Sequence, residues 1–173
     1  SGDLIDVSGN GNDVIGITGP TQVDGRKNLA EERTGKALSF DGTVDIDTGL
    51  YGGTDLPSGV DASVSFSMWV KRDGSQGTFF RIFGYGSNLQ SQSLGAFMLT
   101  GTKELYIHSF NHNLATGYTV PDGEWFHLVL VHVSSRSILY INGEMVADLA
   151  RKRSKVSTTE RPQLHYLLTS LSQ

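Results

Sequence analysis

Apolar and polar residues alternate along much of this chain, and alternation is the signature of strands half buried against a core. In the run Val64 to Lys71, Val64, Phe66, Met68 and Val70 share one face, while Ser65, Ser67 and Lys71 share the other with Trp69. Thr78 to Gly84 reads as a strand closed by a Gly84-Tyr85-Gly86 turn. Gly95 to Thr100 and Glu104 to Phe110 form a hairpin pattern joined by Thr100-Gly101-Thr102-Lys103. Glu124 to Val133 is apolar on both faces, which predicts a central strand covered from both sides. Ser134-Ser135-Arg136-Ser137 then turns the chain into Ile138 to Ile141, and Asn142-Gly143 leads on to Glu144 to Ala147. Asn-Gly between apolar runs predicts a type I′ hairpin, because both central residues need positive φ.

Helical periodicity is scarce. Arg26 to Lys36 has charge but no apolar stripe, and predicts a loop or one short turn. Short-spaced strands without helices predict an all-β sandwich. The length of 173 residues suits one domain with its own core, and 21 glycines against 4 prolines suit many tight turns.

Composition narrows the function classes. A net charge of −4 argues against a general nucleic-acid binder, which needs a basic face. No apolar run approaches the roughly 20 residues that span a bilayer, so no membrane insertion is expected. Cysteine is absent, which removes disulfides, thiolate nucleophiles and Cys-based zinc sites together. The start lacks the residue order of a signal peptide, so any secretion signal is expected to lie outside these residues.

Several ordered segments carry a family resemblance. They are Asp6-Val7-Ser8-Gly9-Asn10-Gly11-Asn12, Gly35 to Gly42, Val64 to Lys71, Val120 to His127, and Leu139-Tyr140-Ile141-Asn142-Gly143. In this order and spacing, over roughly residues 3 to 150, the chain resembles laminin-G-like, concanavalin-A-like lectin domains. The resemblance implies an all-β, two-sheet antiparallel jelly-roll sandwich over residues 1–150. With it goes the expectation of an extracellular or cell-surface recognition and adhesion module that binds a glycan. The alternatives are a module that binds an extracellular protein or serves assembly without a glycan, and a non-catalytic domain of a carbohydrate-active enzyme. Trp125 is expected to supply buried surface, with His127 on the same side. After Ala147 the likeness fails: Arg151-Lys152-Arg153-Ser154-Lys155 and the rest of 151–173 form a basic, divergent segment without the family's closing strand. Either this tail substitutes for that strand, or an open sheet edge invites a homodimer.

Relatives of this kind hold calcium near the opening segment and the Phe-Asp-Gly strand. The resemblance therefore makes Asp6, Asn10, Asp41, Asp45 and Asp47 the metal candidates, in keeping with calcium's need for oxygen ligands. In the alternating reading Ile46 points inward, while Asp45 and Asp47 share the outer face about 7 Å apart. The alternative is that these two only solvate that face and Asp41 sets a turn. Tyr85, Asn111, His112, Asn113 and Tyr118 are the candidate ligand-binding residues, since polar loop side chains beside aromatic rings suit sugar hydroxyls. His108 and His112 are four apart, a zinc spacing only on a helix, and none is indicated. No Glu-x-Asp-x-x-Glu strand, Gly-x-Ser-x-Gly elbow or phosphate loop is present, so no catalysis is expected. Arg151 to Ser154 is similar to a furin-type cleavage site, with a solvated basic loop as the alternative.

Overall fold

The computed structural model describes residues 8–11, 13–14, 16–17, 21–28, 33–40, 45–47, 55–57, 63–72, 79–86, 93–109, 112–150, 163–165 and 170–171. Among these residues there are strands and turns but no helix. In chain order the strands are β1 (Gly16–Ile17), β2 (Thr21–Asn28), β3 (Arg33–Ser39), β4 (Asp45–Asp47) and β5 (Val64–Lys71). They continue with β6 (Phe79–Gly86), β7 (Ser93–Leu99), β8 (Glu104–His108), β9 (Leu114–Thr119) and β10 (Trp125–Val133). The last are β11 (Arg136–Ile141), β12 (Glu144–Ala150), β13 (Gln163–His165) and β14 (Ser170–Leu171).

Among the described residues these strands form a seven-stranded sheet in the order β1-β4-β13-β6-β7-β8-β9 and a four-stranded sheet in the order β12-β11-β10-β5. A smaller sheet, β14-β3-β2, joins them, and every ladder is antiparallel. The two larger sheets enclose one core. Phe80, Leu94, Ala96, Met98, Leu105 and Ile107 enter it from the first, and Val70, Phe126, Leu128, Leu130, Leu139 and Ile141 from the second. Each large side chain fully buried there contributes about 1.5–3 kcal/mol of transfer free energy. The all-β, two-sheet antiparallel sandwich expected from the sequence is the fold.

Local chemistry explains the clearest elements. Asn142 and Gly143 have φ of 53° and 87°, as a type I′ turn requires, and β11 and β12 pair on either side of them. Thr100 to Lys103 joins β7 to β8 as expected, with Lys103 N–H donating to Leu99 O at 2.7 Å. On β5 the alternation holds: Val70 is buried, and Ser65 and Ser67 are exposed.

Other expectations are corrected. Gly84-Tyr85-Gly86 is not a turn but the end of β6, paired with Leu94 and its neighbours on β7. Ser134-Ser135 alone makes the β10–β11 turn, and Arg136 and Ser137 already belong to β11. Arg26 and Lys36 lie in strands, not in a loop, and β2 carries a bulge between Asp24 and Lys27. Trp125 and His127 face outward from β10, and it is Phe126, Leu128 and Leu130 that fill the core. The tail departs from the family pattern in sequence, yet part of it pairs inside the fold. β13 runs between β4 and β6, and β14 pairs with β3 at Ala37 and Lys36. Arg151 to Ser154 lies outside the described residues.

Candidate functional site

On the face of the seven-stranded sheet away from the core, three neighbouring strands bring aromatic rings together. Phe79 from β6 stands 5.6 Å from Phe97 of β7, which stacks on Tyr106 of β8 at 5.1 Å and 13°. His108 meets Phe97 edge-on at 5.9 Å. Register produces this row: Phe97 is paired with Arg81 on one side and Tyr106 on the other, so the three side chains share a face. Phe79 is 61% exposed while Phe97 is 5% exposed, so Phe97 forms the floor and Phe79 and Tyr106 are the rings within reach.

Beside the row, two buried glycines let β6 and β7 approach closely. Gly84 and Gly95 are directly paired, and Gly95 lies so close to β6 that a Cβ there would come within 2.3 Å of the Phe83 carbonyl oxygen. The register shift between Arg81 and Phe83 accompanies this approach.

Polar groups rim the rings. Tyr106 donates its hydroxyl to Glu104 Oε2 at 3.0 Å, and Gly117 N–H donates to Glu104 Oε1 at 3.0 Å. That hydrogen bond first, then desolvation and the Glu104 charge, raise the Tyr106 phenol above its ordinary value of 10.0. With a folded value above the unfolded one, any stability from this contact is present below about pH 10 and lost as pH rises through the raised value. Glu104→Ala is expected to return this tyrosine to the ordinary range in a tyrosinate absorbance titration. An unshifted titration would show that the contact is not made in solution.

The residues singled out from sequence fall in different places. Asn113 Oδ1 accepts from Ser109 N–H at 3.2 Å and contacts His108 Nδ1 at 3.0 Å, so Asn113 bears on the aromatic row by holding His108. His112 is half-buried in the same connection, with its backbone N–H donating to Ser109 O. Tyr118 is half-buried with its ring 6.5 Å from Phe126, and burial, followed by the Glu124 charge, raises its phenol. Tyr85 is 3% exposed and packs in the core, its ring 5.5 Å from Phe66. Asn111 lies outside the described residues. Sequence reasoning missed Phe79, Phe97 and Tyr106 as a group. The signal is the hairpin register, which sets Phe97 and Tyr106 opposite the inward-facing Ala96, Met98, Leu105 and Ile107.

Of the metal candidates, Asp6 and Asp41 lie outside the described residues. Asn10 is exposed and donates its side-chain amide to Ser8 Oγ at 3.0 Å. Asp45 and Asp47 flank the buried Ile46 on β4, paired with His165 and Gln163 of β13. Among the described residues no three acidic or histidine side chains gather in a metal-holding group. No step of the recognition proposed below is routed through calcium. Nor is any described helix long and apolar enough to cross a membrane.

Comparison with known proteins places this geometry. Domain 4 of AbnA, a GH43 extracellular arabinanase from Geobacillus stearothermophilus, solved with arabinotriose, is similar at a TM-score of 0.56 and 20% identity, covering 98% of this chain and 80% of that chain. The binding domain of botulinum neurotoxin serotype D is similar at a TM-score of 0.53 and 18% identity, and the match covers 94% of this chain and 40% of that one. No curated protein matches the sequence at a significant level. A family model does match, over residues 47–166, from within β4 to just past β13, and by that match the chain belongs to the concanavalin A-like lectin/glucanases superfamily.

Proposed function

We propose that this domain is an extracellular, non-catalytic recognition module that binds a neutral saccharide across the aromatic row of the seven-stranded sheet. The row itself carries the reading: Phe79 and Tyr106 present rings over a floor made by Phe97, with glycines beside them and Glu104 at the rim. Sugar C–H faces pack on such rings, and hydroxyls find the rim. β6 to β8 spans about 10 Å, enough for a short saccharide. The arabinanase domain seen with arabinotriose supports the choice of ligand class, and the same architecture would serve as an accessory domain of a carbohydrate-active enzyme.

Both Glu104 oxygens accept hydrogen bonds, one from the Tyr106 hydroxyl and one from Gly117 N–H, which fits a positioning role at the rim of the row.

Calorimetric titration with arabinotriose, preceded by a neutral-glycan array, tests the reading. Phe79→Ala and Tyr106→Ala are each expected to weaken binding about three- to tenfold, the worth of one ring contact. Binding is expected to persist in chelator. Silence across the array, or full binding by both variants, would sink the proposal. A structural calcium beside Asp45 and Asp47 is a separate proposal, to be judged by whether calcium raises the melting temperature above its value in chelator.

A further inference from the structure

The opposite surface, the outer face of the four-stranded sheet, carries a second cluster that the saccharide row does not use. Trp69 of β5 is paired with His127 of β10, and Lys71 is paired with Trp125. Alternation points all four outward, so they form a two-by-two grid with the tryptophans on one diagonal and the basic side chains on the other. The Trp69 and His127 rings are 5.0 Å apart, and His127 Nε2 lies 2.9 Å from Ser67 Oγ. His127 is held from the far side by Asn142, whose side-chain oxygen accepts from His127 N–H at 2.9 Å.

Arg26 closes over this grid from the neighbouring sheet, its guanidinium carbon 3.9 Å from the centre of the Trp69 ring. The bulge in β2 aims it there. Between Asp24 and Lys27 the ladder slips, and Gly25 lies against the Lys36 and Gly35 backbone, where a Cβ would come within 3.0 Å of Lys36 C. Asp24 is paired with Lys36 at 2.8 Å. Among the described residues, no carboxylate or carbonyl accepts from Arg26, and Lys71 has no ion pair. A guanidinium held over an indole by a cation–π contact leaves N–H donors for an anion and is already partly desolvated.

We propose that Arg26, Trp69, Lys71, Trp125 and His127 form a second ligand site that takes an acidic saccharide. The Arg26 fork and the Lys71 ammonium hold a carboxylate or sulfate, and the half-buried Trp125 ring receives the sugar face. Ser67 and His127 offer polar contacts to hydroxyls. Nothing in this site depends on the aromatic row of the other sheet.

The chain has 2 tryptophans, Trp69 and Trp125, and both lie in this grid, so intrinsic tryptophan fluorescence reports on this face alone. The test titrates the domain with oligogalacturonate, which carries only carboxylates, and with sulfated dextran oligosaccharide, which carries only sulfates. A saturable fluorescence change with either probe, weakened by salt, is expected. Response to one probe alone supports the site and assigns its anion. Arg26→Gln is expected to weaken binding about tenfold, the loss of a charge-assisted fork, while its near-ultraviolet circular dichroism stays that of the parent. Tyr106→Ala, on the other face, is expected to leave the response intact, which separates this site from the neutral-saccharide one. No response to either probe at low salt, or full affinity in a folded Arg26→Gln, would overturn the proposal.

Discussion

Gly95→Ala is expected to lower stability by on the order of 3 kcal/mol and to abolish saccharide binding on the aromatic row. A Cβ at position 95 would meet the Phe83 carbonyl oxygen at 2.3 Å and Gly84 Cα at 2.9 Å. Both are backbone atoms, so no side chain can rotate away. Relief requires β6 and β7 to separate where Gly95 pairs with Gly84, next to the register shift that carries Arg81 alongside Phe97. Phe79 and Phe97 would then lose their present spacing, which couples the stability loss to the site. Urea unfolding of the variant should show a lower midpoint at a similar slope. Gly101→Ala is the control, because nothing lies within 4 Å of a Cβ there, and its effect should stay within about 0.5 kcal/mol. A Gly95→Ala protein as stable as the parent would show that the two strands do not approach this closely in solution.

That glycine also shows where the sequence stops being legible. Turn chemistry is local, so Asn142-Gly143 and Thr100 to Lys103 identify their hairpins from a few residues, and the structure agrees with both. Gly84 and Gly86 belong instead to a strand, and a sequence does not distinguish a glycine kept for positive φ from one kept for its missing Cβ. The phase of β10 was hidden for a different reason. Trp125, Val129 and Val131 are as apolar as Phe126, Leu128 and Leu130, so period alone cannot choose the inner face, and packing against β5 and the other sheet decides it. The β2–β3 pair was unreadable because its bulge breaks the alternation at the Gly25-Arg26 step. The described parts of the tail, β13 and β14, pair with strands far away in the sequence, a non-local fact no window contains. The candidate site suffered most. Its rings come from three strands, and only their register makes Phe79, Phe97 and Tyr106 one surface.

Asp122→Ala is expected to lower stability by about 3 kcal/mol, because it strands a buried cation. The Arg72 side chain, just beyond β5, is 3% exposed and pairs with Asp122 in the turn that leads into β10. Lys103 pairs with the same carboxylate, and the backbone reinforces the junction: Gly123 N–H donates to Arg72 O at 2.8 Å and Val120 N–H to Lys103 O at 2.9 Å. One carboxylate thus ties the end of the four-stranded sheet to the β7–β8 turn of the seven-stranded one. Asp122 itself is 43% exposed, so water already screens part of the attraction, which places the loss at the low end of the range for breaking a buried pair. The charge argument has its own control. Arg72→Met combined with Asp122→Ala removes both ions and leaves an apolar stem, and should recover to within about 1 kcal/mol of the parent. Lys103→Ala, at a half-exposed position, should cost less than about 1 kcal/mol. If the double variant unfolds as readily as Asp122→Ala alone, the loss comes from the turn at Asp122-Gly123 and not from the stranded guanidinium. Recovery in the double variant would show that the stranded guanidinium causes the loss and that the intact pair adds little net stability.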